Sequence, residues 1–196
     1  LITKDTYCFA VAGTHGKTTT TSMTGIVLIE AALQPTVIVG GKVMNFDSNN
    51  VFGSGKQMIV EADEFDRSFL TLSPIIAGIT NIEADHLDCY ENIDAIKEAF
   101  IEFANKVPFF GCIILCTQDK GIQEIIPQLN KRIITYSINQ DTDIKTTDIH
   151  FSPPCHSESS KNSAPLTSFN VLYHNKPMGR IQLNLYGEHN ILNSLM

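Results

Sequence analysis

Short apolar runs alternate with segments of helical period along the first two thirds of the chain. The strand-like runs lie at 7–12, 36–39, 57–60, 74–79, 112–116 and 132–136. Apolar residues at helical spacing occupy 92–107, and a helix is predicted over roughly 18–33. A shorter candidate helix is 119–129, and Pro127 either ends it or lies just beyond its end. Continuous apolar strands that alternate with helices predict an α/β fold, with a mostly parallel sheet covered by helices on both faces.

The pattern changes near residue 137. Residues 139–166 are polar and rich in proline and serine, which predicts an extended stretch with a flexible surface loop at 152–164. Beyond it, 169–173 and 180–185 alternate around a turn-rich segment and predict a β-hairpin, with 143–151 as a candidate third strand. We therefore expect one domain over 1–196, with a main α/β part at 1–137 and a small antiparallel sheet at 138–186.

Composition narrows the classes of function. The chain has 196 residues, which suits a single α/β domain, and 43% of them are hydrophobic, enough for a real core. A net charge of −7 without a basic stripe argues against nucleic acid as a partner. No stretch has the length and apolarity of a membrane span, and no signal peptide is visible, so we expect a cytoplasmic protein without a membrane partner. The scattered cysteines fit no zinc pattern and are expected to be small buried hydrophobes.

The strongest chemical signal is the segment Gly13-Thr14-His15-Gly16-Lys17-Thr18-Thr19, between the first strand-like run and the first predicted helix. A strand, a glycine-containing turn ending in Gly-Lys-Thr, and a helix are typical of a phosphate-binding loop. Glycines let backbone N–H groups converge on a phosphate, and the helix N-terminus adds partial positive charge. Lys17 would then contact the terminal phosphates and the Thr18 hydroxyl would ligate Mg²⁺. The alternative is a strand-to-helix turn that binds nothing.

Details of this loop leave some questions open. Val11 stands where the common pattern has its first glycine, so the loop is a compact variant. His15 lines the site or contacts the ligand, and Thr19 is a possible phosphate contact. Thr20 and Thr21 have no assigned role and are expected to face the core or the solvent.

Acidic residues follow the strand-like run at 57–60. Glu61, Asp63, Glu64 and Asp66 lie within six residues of one another, and such a group repels itself unless a cation or basic group balances it. Glu61 comes first after the run and is best placed to reach a metal. The other three are either part of the same site or acids that cap a helix or face solvent.

Two further segments carry candidate residues. His86 follows the run at 74–79 and is flanked by acids, so it is a candidate metal ligand that neighbouring carboxylates orient; the alternative is a structural histidine. Near the end of the chain, Asn190 and Asn193 are spaced to share one helix face. Their amides offer a donor and an acceptor together, as the edge of an adenine requires.

Four strings of this sequence resemble the Mur ligases, in the same order and with similar spacing: VAGTHGKTTTTSM, VEADEFDRSFL, TNIEADHLDCY and GEHNILNSL. The resemblance covers nearly the whole chain. Within the family, the second and third strings look most like the members that join L-alanine to UDP-N-acetylmuramate in bacterial peptidoglycan synthesis. The resemblance implies that this chain is the central, ATP-binding domain of a three-domain protein, with its N-terminal and C-terminal domains lying outside the given sequence.

The resemblance also implies a chemistry. ATP phosphorylates the muramate carboxylate, and the amino group of L-alanine attacks the resulting acyl phosphate. Lys17 is implied to stabilise the transferring phosphate, Thr18 and Glu61 to hold Mg²⁺, His86 to hold a second Mg²⁺, and Asn190 and Asn193 to meet adenine. Alternatives are a ligase that recycles a murein tripeptide and a regulatory module that binds ATP without catalysis. We expect the isolated chain to ligate nothing, and Lys17→Ala to leave the fold intact.

Overall fold

One ten-stranded sheet forms the framework of the described residues. The computed structural model describes residues 6–40, 50–65, 67–84, 89–152 and 166–196. Within these ranges the strands are β1 (Tyr7–Ala12), β2 (Thr36–Ile38), β3 (Asn50–Val51), β4 (Gln57–Glu61), β5 (Ile76–Ile79), β6 (Cys112–Cys116), β7 (Ile133–Ser137), β8 (Ile144–Phe151), β9 (Thr167–Tyr173) and β10 (Lys176–Leu183). The helices are α1 (Lys17–Glu30), α2 (Ile93–Asn105), α3 (Lys120–Ile125) and α4 (Glu188–Leu195), with 3₁₀ turns at Ser68–Thr71 and Ile126–Gln128.

The sheet is mostly parallel, as predicted. Its strand order is β10-β9-β8-β7-β6-β5-β1-β4-β2-β3, and every pair from β2 through β8 along this order is parallel. In the central strand β1, the consecutive residues Ala10, Val11 and Ala12 are fully buried. Successive strand residues point to opposite faces, so both faces of the sheet centre are covered.

The antiparallel strands near the C-terminus are also confirmed, but they do not form a separate sheet. Strand β8 pairs in parallel with β7 at Tyr136–Ile144 and Ser137–Lys145, and β9 and β10 follow in antiparallel order. The open edge of β7 presents unpaired backbone donors and acceptors, and β8 satisfies them. The small sheet expected beside the main one is therefore its continuation.

Local chemistry sets the helix boundaries. Helix α1 ends at Glu30, earlier than the predicted residue 33, and the chain beyond it turns through left-handed conformations at Ala32 and Gln34. Helix α2 begins after Asn92, whose side chain accepts a hydrogen bond from the Ala95 amide. Helix α3 begins after Asp119 in the same way and gives way to the 3₁₀ turn that contains Pro127. Strand β3 and the 3₁₀ turn at Ser68–Thr71 are too short for periodicity to reveal.

The core combines aliphatic strands with a group of aromatic rings. Phe69 stacks on Phe103 with ring centroids 5.0 Å apart and meets Phe100 edge-on at 5.5 Å. Thr20 and Thr21 are fully buried, so they face the core. No helix among the described residues is both long and apolar enough to cross a membrane.

The cysteines only partly follow the expectation. Cys8 and Cys116 are buried, Cys112 is half-buried, and Cys89 is exposed. Burial raises the pKa of the Cys8 thiol to about 12, which keeps it protonated. The expectation of burial is therefore wrong for Cys89. Cys155 and all but the first residue of the loop predicted at 152–164 lie outside the described residues.

Candidate nucleotide-binding site

The loop between β1 and α1 has the strand–turn–helix arrangement that the sequence predicted. Strand β1 ends at Ala12 and α1 begins at Lys17. Gly13 has φ 130° and Gly16 has φ 84°, conformations that favour glycine. A Cβ at Gly13 would lie 2.0 Å from Oγ1 of Thr80, so close approach of the next strand end also requires glycine there.

Residues that follow β5 hold this loop in place. The side chain of Asn81 bonds the backbone of His15 twice: Oδ1 accepts from the amide at 2.8 Å, and Nδ2 donates to the carbonyl at 3.0 Å. Oγ1 of Thr80 donates to the same carbonyl at 2.6 Å. The Thr14 amide donates to the carbonyl of Asn81, and the Glu83 amide donates to Oγ1 of Thr14. Because Asn81 engages the amides of Thr14 and His15, these two are not free for an anion, whereas the first amides of α1 lie at a helix N-terminus that no described side chain caps.

Sequence reasoning assigned no role to Thr80 or Asn81. They come directly after a strand, and that position was the only available signal. One neighbour of β5 in the sheet is β1, so the ends of these two strands meet, but this strand order is not readable from one sequence.

Lys17 lies at the centre of the loop. Its Nζ donates to the carbonyl of Gly13 at 2.8 Å and to that of Thr14 at 3.3 Å. It also forms an ion pair with Glu64, at 2.9 Å to Oε2 and 3.1 Å to Oε1. Glu64 is only 2% exposed. Of the acids that the sequence left open, Glu64 therefore belongs to the site, Asp63 is exposed, and Asp66 lies outside the described residues.

Thr18 and Glu61 meet beside this pair. Oγ1 of Thr18 donates to Oε1 of Glu61 at 2.8 Å, and Oε2 of Glu61 accepts from the Gly40 amide at 2.7 Å. A hydroxyl and a carboxylate are ligands that suit Mg²⁺, which takes its remaining ligands from phosphate and water. The pair therefore fits the magnesium role predicted for it. Across the described ranges, no group of three His, Cys, Asp or Glu side chains is placed to hold a metal by itself.

Comparison with models of known protein families identifies the family to which this chain is similar. The model of the Mur ligase middle domain matches residues 11–196. The chain belongs to this family.

Individual relatives of this Mur ligase middle domain carry more specific names. A protein of Trichlorobacter lovleyi named UDP-N-acetylmuramate–L-alanine ligase is 46% identical over 190 residues, which cover 96% of this chain and 39% of the relative. The chain thus spans about two fifths of the length of the curated relatives it matches.

Solved structures agree on the fold. The UDP-N-acetylmuramate:L-alanyl-γ-D-glutamyl-meso-diaminopimelate ligase of Neisseria meningitides has a TM-score of 0.79 and 27% identity, over 99% of this chain and 60% of that one. The UDP-N-acetylmuramate–alanine ligase of Thermotoga maritima has a TM-score of 0.77 and 26% identity, over 99% of this chain and 40% of that one.

The structure describes the remaining predicted residues of the loop but not His86. His15 is exposed, with its Nε2 3.7 Å from the Glu83 carboxylate, while Thr14 is buried and Thr19 is half-buried in the first turn of α1. His86 and its acidic neighbours Asp85 and Asp88 lie outside the described residues, so the second metal site remains a prediction. No side chain caps α1 within the described chain, which leaves its N-terminal amides available to an anion.

The two asparagines of this Mur ligase middle domain lie on a helix, α4, the condition under which their spacing places them on one face. Asn193 packs against Gly16, because a Cβ on that glycine would lie 2.5 Å from its Oδ1. Asn193 also lines an apolar cavity between α1, α4 and β10. The amide nitrogen of Asn190 instead donates to the carbonyl of Tyr186 at 3.0 Å and lies 3.0 Å from Nε2 of His189. Adenine contact by both stays a prediction, and Asn193 is the better placed.

Proposed function

We propose that this Mur ligase middle domain binds ATP at the loop of residues 13–19. The observation that carries the proposal is the convergence of three groups at one helix N-terminus: the ammonium of Lys17, the hydroxyl of Thr18 and the carboxylate of Glu61. An ammonium beside uncapped helix amides favours a polyanion. The hydroxyl–carboxylate pair suits the cation that accompanies a triphosphate.

Thr18 and Glu61 would hold Mg²⁺, and His86 would hold a second ion by resemblance to the family. When bound, the metal supplies neutralisation of charge on the phosphate oxygens. The chain's own contribution is positional. Lys17 would orient and neutralise the transferring phosphoryl group, and the rigid anchoring of the loop by Asn81 would keep the helix amides aimed at it.

In the intact protein, we propose that the reaction is the ATP-dependent joining of L-alanine to the carboxylate of UDP-N-acetylmuramate. The carboxylate would attack the terminal phosphorus, ADP would leave, and the amine would displace phosphate from the acyl phosphate. Support comes from relatives named for this activity at 44–46% identity over nearly the whole chain. The rest of the relatives' length lies outside this chain, so the proposal extends to domains that must supply the other substrate contacts.

For the nucleoside, we propose that Asn193 contacts adenine from α4. Its carboxamide lies between the loop glycine Gly16 and an apolar cavity that Met23, Val27 and Leu183 help to line. A purine needs apolar surface for its ring and paired polar groups for its edge.

The deciding experiment measures ADP release by the full-length protein. We expect release when UDP-N-acetylmuramate and L-alanine are both present, and background release when either is omitted. The Lys17→Ala variant serves as the control for the loop. Release with another amino acid but not with alanine would exclude the proposed substrate.

The same assay addresses the two alternatives. Turnover that depends on a preformed tripeptide and ignores alanine would identify the recycling ligase, whose solved relative has the same fold. ATP binding without turnover by the complete, folded protein would indicate a regulatory module instead.

A further inference from the structure

We propose that Glu64 holds Lys17 in the nucleotide-free loop and that the phosphates of ATP displace it, so that Glu64 sets the affinity for nucleotide. Glu64 is then a positioning residue, acting through Lys17. The inference rests on the proposed function, because it assumes that the loop binds ATP. The role proposed for Glu64 differs from the metal-binding role proposed for Glu61. Glu61 lies at the end of the strand that precedes Glu64, and it bonds Thr18 and Gly40.

Burial makes this ion pair more than a surface contact. The side chains of Lys17 and Glu64 are 11% and 3% exposed, and both carboxylate oxygens lie within 3.1 Å of Nζ. A charge so removed from water must keep a partner. Lys17 also donates to the carbonyls of Gly13 and Thr14, but only a second anion that reaches the same ammonium could replace the negative charge of the carboxylate.

The backbone of Glu64 is fixed from two sides. Its carbonyl accepts from the buried hydroxyl of Tyr90 at 2.5 Å and from the amide of Arg67 at 3.1 Å. The guanidinium of Arg67 lies 5.1 Å from the centre of the Tyr90 ring. The carboxylate is therefore presented to the loop by a rigid support, and its contact with Lys17 is not the chance result of a free side chain.

Two effects on ATP follow from the pair. Lys17 must break its contact with Glu64, at least in part, before its ammonium can serve the phosphates. The carboxylate that remains nearby also repels them, since like charges in a poorly hydrated site interact strongly. Both effects weaken nucleotide binding relative to a loop whose lysine has no buried carboxylate partner.

The test is calorimetric titration of the full-length protein with MgATP, comparing wild type with Glu64→Gln. Glutamine keeps the size of the side chain and removes its charge. We expect affinity to rise by about tenfold, at the low end of what close charge pairs show in coupling measurements. We also expect the KM for ATP to fall without a gain in kcat, a split that a purely structural role would not produce.

Two matched variants isolate the cause. Asp63→Asn removes the same charge from an exposed neighbour of Glu64 and should leave the affinity unchanged. In a Lys17→Met background, Glu64→Gln should gain much less, because the exchange requires the ammonium. If Glu64→Gln fails to fold, Tyr90→Phe loosens the support of Glu64 and should raise affinity in the same direction, by less.

The outcomes separate this inference from the proposed function. Weaker ATP binding by Glu64→Gln would show that the carboxylate supports bound nucleotide. Unchanged binding would show that no exchange occurs. Either result overturns this inference and leaves the proposed function standing. An equal gain in the Lys17→Met background would assign the effect to general electrostatics and also overturn it. A folded wild-type protein that binds no ATP would overturn the proposed function, and the inference with it.

Discussion

The carboxamide of Asn193 lies directly over the Cα of Gly16. A Cβ built on that glycine would come within 2.5 Å of Oδ1 and 3.2 Å of Cγ of Asn193. Residues 177 positions apart in the sequence thus meet at the N-terminus of α1, where the candidate phosphate site lies. The contact joins helix α4 to the loop, so a substitution at either residue should alter the position of the other.

Gly16→Ala should therefore destabilise the fold and weaken ATP binding together. The new methyl group meets Asn193, and alanine in the left-handed conformation at φ 84° costs about 1–2 kcal/mol by itself. Urea unfolding and MgATP titration of the same sample would measure both effects.

The double variant Gly16→Ala with Asn193→Ala separates the stability lost to the clash from the stability lost to backbone strain. It removes the clash but not the backbone strain, so part of the lost stability should return. Gly179→Ala is a matched control, since that glycine also has positive φ but nothing within 4 Å of its Cβ position. It should cost stability without changing ATP affinity. Full stability of Gly16→Ala would contradict the close contact.

Lys17→Ala should weaken MgATP binding by about 2–5 kcal/mol, the usual cost of truncating one partner of a desolvated charge pair. The structure also changes the expectation that the fold is untouched. The variant leaves Glu64 buried without its ammonium, so we expect the free energy of unfolding to fall by about 3 kcal/mol.

The double variant Lys17→Ala with Glu64→Gln distinguishes the two losses. It should regain much of the stability, because no buried charge remains, and none of the affinity that depends on Lys17. Thermal unfolding and calorimetry on the same protein would check this. Wild-type affinity in Lys17→Ala would show that the loop does not bind the phosphates.

Asn81→Ala should loosen the loop. It removes both side-chain bonds to the His15 backbone, which predicts a loss of stability of about 1–2 kcal/mol and weaker MgATP binding. Asn105→Ala is a suitable control, because its side chain accepts one bond from the Asn130 amide on another part of the chain. It should leave MgATP affinity unchanged. If both variants bind ATP equally well, loop anchoring by Asn81 has no bearing on the site.

Asp119 predicts a specific pH dependence. The pKa of the Asp119 carboxyl is raised, chiefly by burial, so the folded chain holds the proton more tightly than the unfolded chain. Its contribution to stability is thus present at acid pH and is lost as the pH rises from the ordinary carboxyl value through the raised folded pKa. Asp119→Asn should escape this loss.

The asparagine variant is informative because Oδ1 of Asp119 alone accepts from both the Ile122 amide at 2.8 Å and the Ile82 amide at 3.2 Å. Asparagine keeps that oxygen. Its stability relative to wild type should rise with pH across the titration of Asp119, as measured by urea unfolding at a series of pH values. Asp119→Ala, which loses both bonds, should be less stable than Asp119→Asn by about 1 kcal/mol at all pH values. A constant difference between asparagine and wild type would refute the assignment.

The sequence by itself determined the parts of this protein that depend on local order. Apolar runs identified most of the strands, because a strand buried on both faces consists mainly of apolar side chains. The glycines and the Gly16-Lys17-Thr18 string identified the loop, because backbone conformation and residue chemistry are both local there. Glu61 was found because it directly follows a strand.

Tertiary structure decided which of these parts meet. The order of strands in the sheet brings the end of β5 against β1, and so makes Asn81 an anchor of the loop. Whether β8 continues the main sheet or joins a separate one depends on an edge that no local pattern describes. The choice of Glu64 over Asp63 as the partner of Lys17 depends on which carboxylate is turned into the interior, a matter of packing rather than of residue type. Long-range contacts of this kind follow from the arrangement of whole elements, and a single sequence records that arrangement only indirectly.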